Sequence, residues 1–170
     1  FLFIPAQVYT HTTEEVKWLS FEQAIASSQK QSKLIFVDIY TDWCGWCKRL
    51  DKDTFADPEV AAVLNKYYYP AKLDAERKDT VNVLGSSYKF VPNGRRGFHE
   101  LAAALLNGQM SYPTTVILNE EFKIIATIKG YRGPDNYKPT LEYYGTGAYK
   151  EISLEAYLEK HTSIPAKNDN

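Results

Sequence analysis

At 170 residues, with 44% apolar and 24% charged side chains, the chain fits one globular domain that buries a core of its own. A formal net charge of −1 removes any electrostatic reason to expect nucleic acid or an anionic membrane as partner. No apolar run approaches the ~20 residues that a membrane-spanning helix needs.

The opening Phe1-Leu2-Phe3-Ile4-Pro5-Ala6-Gln7 is a short apolar run. It reads as the tail of an export signal or as a segment docked on the domain, with export preferred and a cytoplasmic location as the alternative. Val16–Leu19 fits a short edge strand. Ser20 suits an N-cap, and Phe21, Ala24, Ile25 and Ser28 follow at helical spacing to about Lys30. Leu34–Tyr40 is a nearly continuous run of β-formers, the pattern of a central strand covered on both faces. After Thr41-Asp42-Trp43, the stretch from Cys44 to Leu50 can start a helix. A second helix has Asp57 as N-cap and Pro58 at its first position, with Val60, Val63 and Leu64 on one face. Tyr67–Leu73 reads as the next strand and completes a β-α-β unit.

Residues 75–99 are polar and turn-rich, with Pro92-Asn93-Gly94 the clearest turn, and are predicted as a helix-and-loop insertion. His99–Leu106 returns to helical spacing, and Asn107-Gly108 stops it. Thr114–Leu118 and Lys123–Lys129 predict a hairpin around Asn119-Glu120-Glu121. Two more helices are expected near Pro134–Tyr144 and Ser153–His161. The predicted organisation is an N-terminal segment over 1–15, one domain over 16–162 with its insertion at about 75–99, and a tail over 163–170.

Cys44 and Cys47 are the only cysteines. A bridge between them closes a very small loop and adds little stability, so a chemical role is favoured over a structural one. The spacing sets the sulfurs about one helical turn apart, near enough for a disulfide. The amide hydrogens and dipole at a helix start favour a thiolate at Cys44, which makes it the nucleophile and Cys47 the resolving thiol. Zinc needs four ligands, or three and a water, and only His11, His99 and His161 are at hand, scattered along the chain. No metal is therefore expected. Asp38 lies between Val37 and Ile39, and an acid inside an apolar strand should have a raised pKa and exchange a proton with Cys47. The alternative is an acid turned to water at a strand end. Trp43 and Trp46 flank the sulfurs, either as a contact surface for a polypeptide or as cover for the helix start. His99 is not nominated as catalytic.

The stretch Val37-Asp38-Ile39-Tyr40-Thr41-Asp42-Trp43-Cys44-Gly45-Trp46-Cys47-Lys48 resembles the active-site strand, loop and helix start of the thioredoxin family. Asp38, six residues before Cys44, resembles the buried acid of that family, and Lys72 in Ala71-Lys72-Leu73-Asp74 resembles its lysine neighbour. Tyr112-Pro113-Thr114 resembles the cis-proline segment that faces the cysteines, and Gly130 a family glycine near the same surface. Trp43–Lys48 together with Thr54–Val60 is similar to secreted thioredoxin-like proteins common in Bacteroidetes-type bacteria. Those are related to the group that includes the C-terminal domain of the membrane disulfide reductase.

The resemblance implies an α/β, thioredoxin-like fold. Its central mixed sheet is flanked by helices, with a helical/loop insertion before the cis-proline and extra C-terminal helices. The implied activity is thiol–disulfide exchange on protein cysteines, with reductase favoured over oxidase or isomerase. Catalytic roles fall to Cys44, Cys47, Asp38 and Lys72, and substrate contact to Trp43, Gly45, Trp46, Tyr112, Pro113 and Thr114. No cofactor is implied beyond the redox-active Cys44–Cys47 pair. The expected partners are cysteine-containing proteins and a redox partner protein, and the expected state is a monomer, periplasmic or otherwise exported. The competing reading is a non-catalytic thioredoxin-like module that holds partner proteins. Trp46 stands where thioredoxin carries a proline, which leaves the potential open.

Overall fold

The structure, a computed structural model, describes residues 13–161. The N-terminal apolar run, His11 and the C-terminal tail lie outside the described residues. Strand β1 (Leu19–Ser20) runs straight into α1 (Phe21–Lys30), because Ser20 caps that helix in both directions. Its hydroxyl accepts from the Gln23 amide at 3.1 Å, and the Gln23 side chain accepts from the Ser20 amide at 2.9 Å. The edge strand is shorter than the expected Val16–Leu19. The Trp18 amide donates to the Val16 carbonyl at 3.0 Å, and the Lys17 amide to Asn65 Oδ1 at 2.9 Å. This local turn takes Val16 and Lys17 out of the sheet.

Next come β2 (Leu34–Tyr40), α2 (Gly45–Leu50), a single π-helical turn at Asp51–Phe55, α3 (Pro58–Tyr67) and β3 (Tyr68–Asp74). After the insertion lie β8 (Thr114–Leu118), β9 (Ile124–Lys129), α5 (Pro134–Gly145) and α6 (Leu154–His161). The sheet order is β1-β3-β2-β8-β9, with β1, β3 and β2 parallel and β8 and β9 each antiparallel to the strand before it. The expected mixed sheet flanked by helices is present. Strand alternation divides β2 between two cores. Ile35, Val37 and Ile39 pack with α1 and the helix after the insertion, while Phe36 packs with α2, α3 and α5. Phe36 is the hub of that second core, its ring 6.3 Å from Trp18, 5.8 Å from Phe55, 6.1 Å from Tyr68 and 6.2 Å from Tyr137. Helices α3 and α5 approach so closely at Gly145 that a Cβ there would lie 2.7 Å from the Tyr67 side chain.

The insertion differs from the predicted helix and loop. It holds two short hairpins, β4 (Val81–Val83) with β5 (Ser86–Tyr88) and β6 (Phe90–Asn93) with β7 (Arg96–His99), followed by α4 (Glu100–Leu105). Strands of three and four residues are too short to show an alternation along the chain. The turn at Pro92-Asn93-Gly94 is the β6–β7 reversal, with Gly94 at φ +59°. Backbone bonds fix the insertion to the sheet: Ala75 donates to the Tyr40 carbonyl at 2.8 Å, and His99 to the Ala75 carbonyl at 2.7 Å. Both hairpins thus spring from the edge where β2 and β3 end.

Replacing Phe36 with alanine empties the hub of the second core, and large-to-small changes of this kind cost about 4 kcal/mol. Urea unfolding of Phe36→Ala should show a loss of that size, with the slope against urea unchanged.

Candidate active site

Strand β2 delivers the cysteines to this edge. After Tyr40 the chain turns tightly, the Cys44 amide donating to the Thr41 carbonyl at 3.2 Å. Cys44 is the N-cap of α2, and its sulfur accepts from the Cys47 amide at 3.1 Å. The two cysteines are joined as a disulfide. They are only 5% and 3% exposed, whereas Trp43 and Trp46 beside them are 51% and 57% exposed. Gly45 has no heavy atom within 4 Å of where a Cβ would sit, so the surface next to the bridge stays open.

The Tyr112–Pro113 peptide bond is cis. Thr114, the next residue, pairs with Ile39, which sets the cis-proline segment beside the end of β2 from which the cysteine loop departs. Gly130, at φ +80°, donates its amide to the Pro113 carbonyl at 2.8 Å and ties the end of β9 to this segment. The Thr114 side chain is buried, its hydroxyl donating to the Ser111 carbonyl at 2.8 Å. It holds the turn together.

Asp38 lies below this surface, on the face of the sheet that α2 covers. It is 1% exposed, so the buried-acid expectation holds and the water-facing alternative does not. In register it stands between Lys72 of β3 and Thr115 of β8. Lys72 Nζ donates to Asp38 Oδ2 at 3.0 Å and also to Asp51 Oδ1. Three rings surround that ammonium, Tyr40 at 5.0 Å, Trp18 at 5.1 Å and Phe55 at 5.8 Å. A cleft of about 520 Å³, lined by Glu14, Glu15, Trp18, Asp51 and Phe55 among others, connects Lys72 to solvent.

Burial pushes the Asp38 carboxyl up to about 6; the Lys72 charge and hydrogen bond pull it down, and the Asp51 charge raises it. For Lys72, burial lowers the pKa, but the charges and hydrogen bonds of Asp38 and Asp51 outweigh it and the net shift is upward.

Several neighbours escaped the sequence reading. Asp51 had a usable signal, since it lies four residues after Cys47 and so on the same helical face. Arg96 had only the place of its stretch between the Lys72 strand and Pro113. It reaches from β7 to stack on Trp43, 4.1 Å from ring centre to guanidinium, while the Trp43 indole donates to Glu76 Oε1 at 3.1 Å and meets Tyr112 edge-on at 6.0 Å. On the other flank Arg49 lies over Trp46 at 5.4 Å and Tyr131 at 5.3 Å, and pairs with Asp53 at 3.1 Å. Arg49 is therefore committed to this cluster and is more than a solvated helix residue. His99 is buried and caps α4: its Nδ1 accepts from the Leu101 amide at 3.2 Å, and its Nε2 bonds the Asp79 carbonyl at 3.0 Å. Among the described residues no group of three or more His, Cys, Asp and Glu side chains is placed to hold a metal ion. No helix among them is long and apolar enough to cross a membrane.

The raised Asp38 pKa has a defined effect on stability. The unfolded chain releases this proton near pH 3.8, whereas the native protein holds it to about 6, so native stability falls as pH rises through that window. Asp38→Asn removes the effect. Its stability relative to the wild type should rise by roughly 2–3 kcal/mol between about pH 4 and about pH 8, measured by urea unfolding at each pH. A difference independent of pH would refute the assignment.

The profile of the Thioredox_DsbH family, described as "Protein of unknown function, DUF255", matches residues 6–152. The "Thiol:disulfide interchange protein DsbD" of Pseudoalteromonas atlantica is 44% identical over 45 residues, which are 26% of this chain and 8% of that one. DsbD of Escherichia coli is 36% identical over 62 residues, covering 32% of this chain and 11% of its own. The chain thus spans only about a tenth of the length of these curated relatives. Among solved structures, a thioredoxin-fold protein from Helicobacter pylori matches 89% of this chain and 94% of its own at a TM-score of 0.59 and 16% identity. A structure titled "DsbH Oxidoreductase" matches 81% of this chain and 87% of its own at a TM-score of 0.55 and 17% identity. The structures establish the thioredoxin-like fold, the profile covers most of the sequence, and the chain belongs to the Thioredox_DsbH family.

Proposed function

We propose that the protein is a thiol–disulfide oxidoreductase that reduces disulfides in other proteins. The observation that carries this reading is the Cys44–Cys47 bridge at the start of a helix, with a buried acid, its carboxyl pushed up to about 6, on the sheet face beneath that helix. In the reduced protein the Cys44 thiolate attacks a partner disulfide. One S–S bond breaks, a Cys44–partner bond forms, and the released partner thiolate takes up a proton. Cys47 then gives its proton to ionised Asp38 and attacks the Cys44 sulfur. The Cys44–Cys47 bond forms, the second partner thiol leaves protonated, and two electrons have passed to the partner. A separate redox partner protein returns them.

Asp38 suits the second step because a general base works best with a pKa near the working pH. Lys72 holds it in place and moderates the shift. Trp43 and Trp46 offer half-exposed aromatic platforms on either side of the bridge, and the Tyr112–Pro113 backbone borders the same opening. These features support contact with an extended polypeptide.

The direction rests on charge. Strong oxidants gain their potential from a stabilised reduced thiolate. Here Asp38 lies under the helix that carries the pair, Asp51 follows that helix on the face of Cys47, and both oppose the build-up of negative charge. A net reductase follows, placed by this reading on the exported side of the cell, where proteins form disulfides.

Reduced wild-type protein should cleave the disulfides of insulin, and Cys44→Ser should lose at least about 10³-fold in rate, since the thiolate is the nucleophile. Cys47→Ser should instead accumulate a Cys44–insulin adduct that dithiothreitol releases, visible on a non-reducing gel. Full activity in Cys44→Ser would overturn the assignment and favour the binding-module reading. Equilibration of the pair with dithiothreitol should give a potential nearer about −270 mV than about −120 mV.

A further inference from the structure

The polar row beneath the cysteines continues beyond Asp38. Thr115 lies directly opposite Asp38 in the β2–β8 register, and its hydroxyl is 2.5 Å from the hydroxyl of Tyr137 on α5. Both residues are buried. Two hydroxyls bring two hydrogens, and the bond between them uses one. No other hydrogen bond places the second among the described residues. Across the strand, Asp38 Oδ2 is taken by Lys72, while Oδ1 is buried and has no protein partner. One buried donor and one buried acceptor are thus left over, on side chains whose Cβ atoms, as a directly opposed strand pair, are about 5 Å apart. Tyr137 feels the Asp38 charge, which raises its pKa further beyond the effect of burial. Leaving either group unmade is costly in a low-dielectric interior.

We propose that Tyr137, Thr115 and Asp38 form a buried hydrogen-bond relay. In it Tyr137 donates to Thr115, and Thr115 donates through one bridging water to Asp38 Oδ1. Thr115 and Tyr137 are then positioning residues: they touch no reacting sulfur and act through the acid. The direction of the effect follows from the charge they serve. A donor aimed at Oδ1 favours the carboxylate and works against burial, so part of the acid is ionised at neutral pH and free to accept the Cys47 proton. That last role rests on the disulfide-exchange reading, whereas the relay itself does not.

The relay is tested on the oxidised full chain without a partner, by following the Asp38 carboxyl carbon through a pH titration by NMR. Asp38→Asn identifies the signal. Thr115→Val leaves the Tyr137 hydroxyl unpaired, whereas the double variant Thr115→Val, Tyr137→Phe removes both hydroxyls and replaces them with apolar groups of similar shape, a change that is often nearly neutral for stability. In both variants the Asp38 midpoint should rise by about one pH unit, the size expected for one lost donor to a buried carboxylate. Thr115→Ser, which keeps the hydroxyl, should stay within a few tenths of the wild type. A folded double variant or Thr115→Val protein with the wild-type midpoint overturns the relay, as does a Thr115→Ser protein that shifts as the valine does. Because the midpoint is read without turnover, it decides the relay whether or not the protein reduces insulin. If insulin reduction is present, the pH profile of the resolving step should move with the midpoint.

Discussion

Lys72 and Asp38 face each other in the middle of the sheet, where a lone charge of either sign would cost several kcal/mol. Much of the surrounding architecture fits around that pair. The parallel register of β2 and β3 puts the two side chains on one face. The π-helical turn after α2 brings Asp51 to the far side of the ammonium, and Trp18, Tyr40 and Phe55 wall it in. A half-buried lysine with two carboxylates and three rings stays charged. Asp38 shares that cation with Asp51 and is left with a carboxyl that titrates within reach of neutral pH.

This arrangement divides the labour of the site by depth. At the surface the two tryptophans are held by their own partners, Trp43 by Glu76, Tyr112 and Arg96, and Trp46 by Tyr131 and Arg49. They present half-exposed rings with little freedom, which on the proposed function lowers the entropy lost when a polypeptide settles on them. One layer down sits the disulfide. Beneath that lie the buried Asp38 and Thr115, with Lys72 lining the cleft beside Trp18 and Asp51. Chemistry and contact thus occupy different layers of one small region.

Much of this was legible in the sequence, for physical reasons that differ by element. The capping box at Ser20, the Asp57-Pro58 helix start and the apolar run of β2 are local signals, and the structure places those elements within a residue or two of expectation. Asp38 stood out because a charge between valine and isoleucine in a strand needs a reason. The insertion was unreadable because strands of three or four residues carry no measurable period. Arg96 belongs to a stretch whose place between the Lys72 strand and Pro113 suggests nearness to this face, but its contact with Trp43 depends on where a hairpin lands after folding, which neither propensity nor spacing encodes.

The double hairpin has a consequence for how such a protein diversifies. It is anchored by backbone bonds at Ala75 and His99 and by Val81, which is buried in the first core, while Arg96 near the tip of the second hairpin leans on the tryptophan beside the bridge. Its turns can gain, lose or exchange residues while the strands that carry Asp38 and Lys72 keep their register. On the proposed function, recognition can therefore drift on the turns of this module while the Asp38–Lys72 pair beneath the disulfide keeps its place.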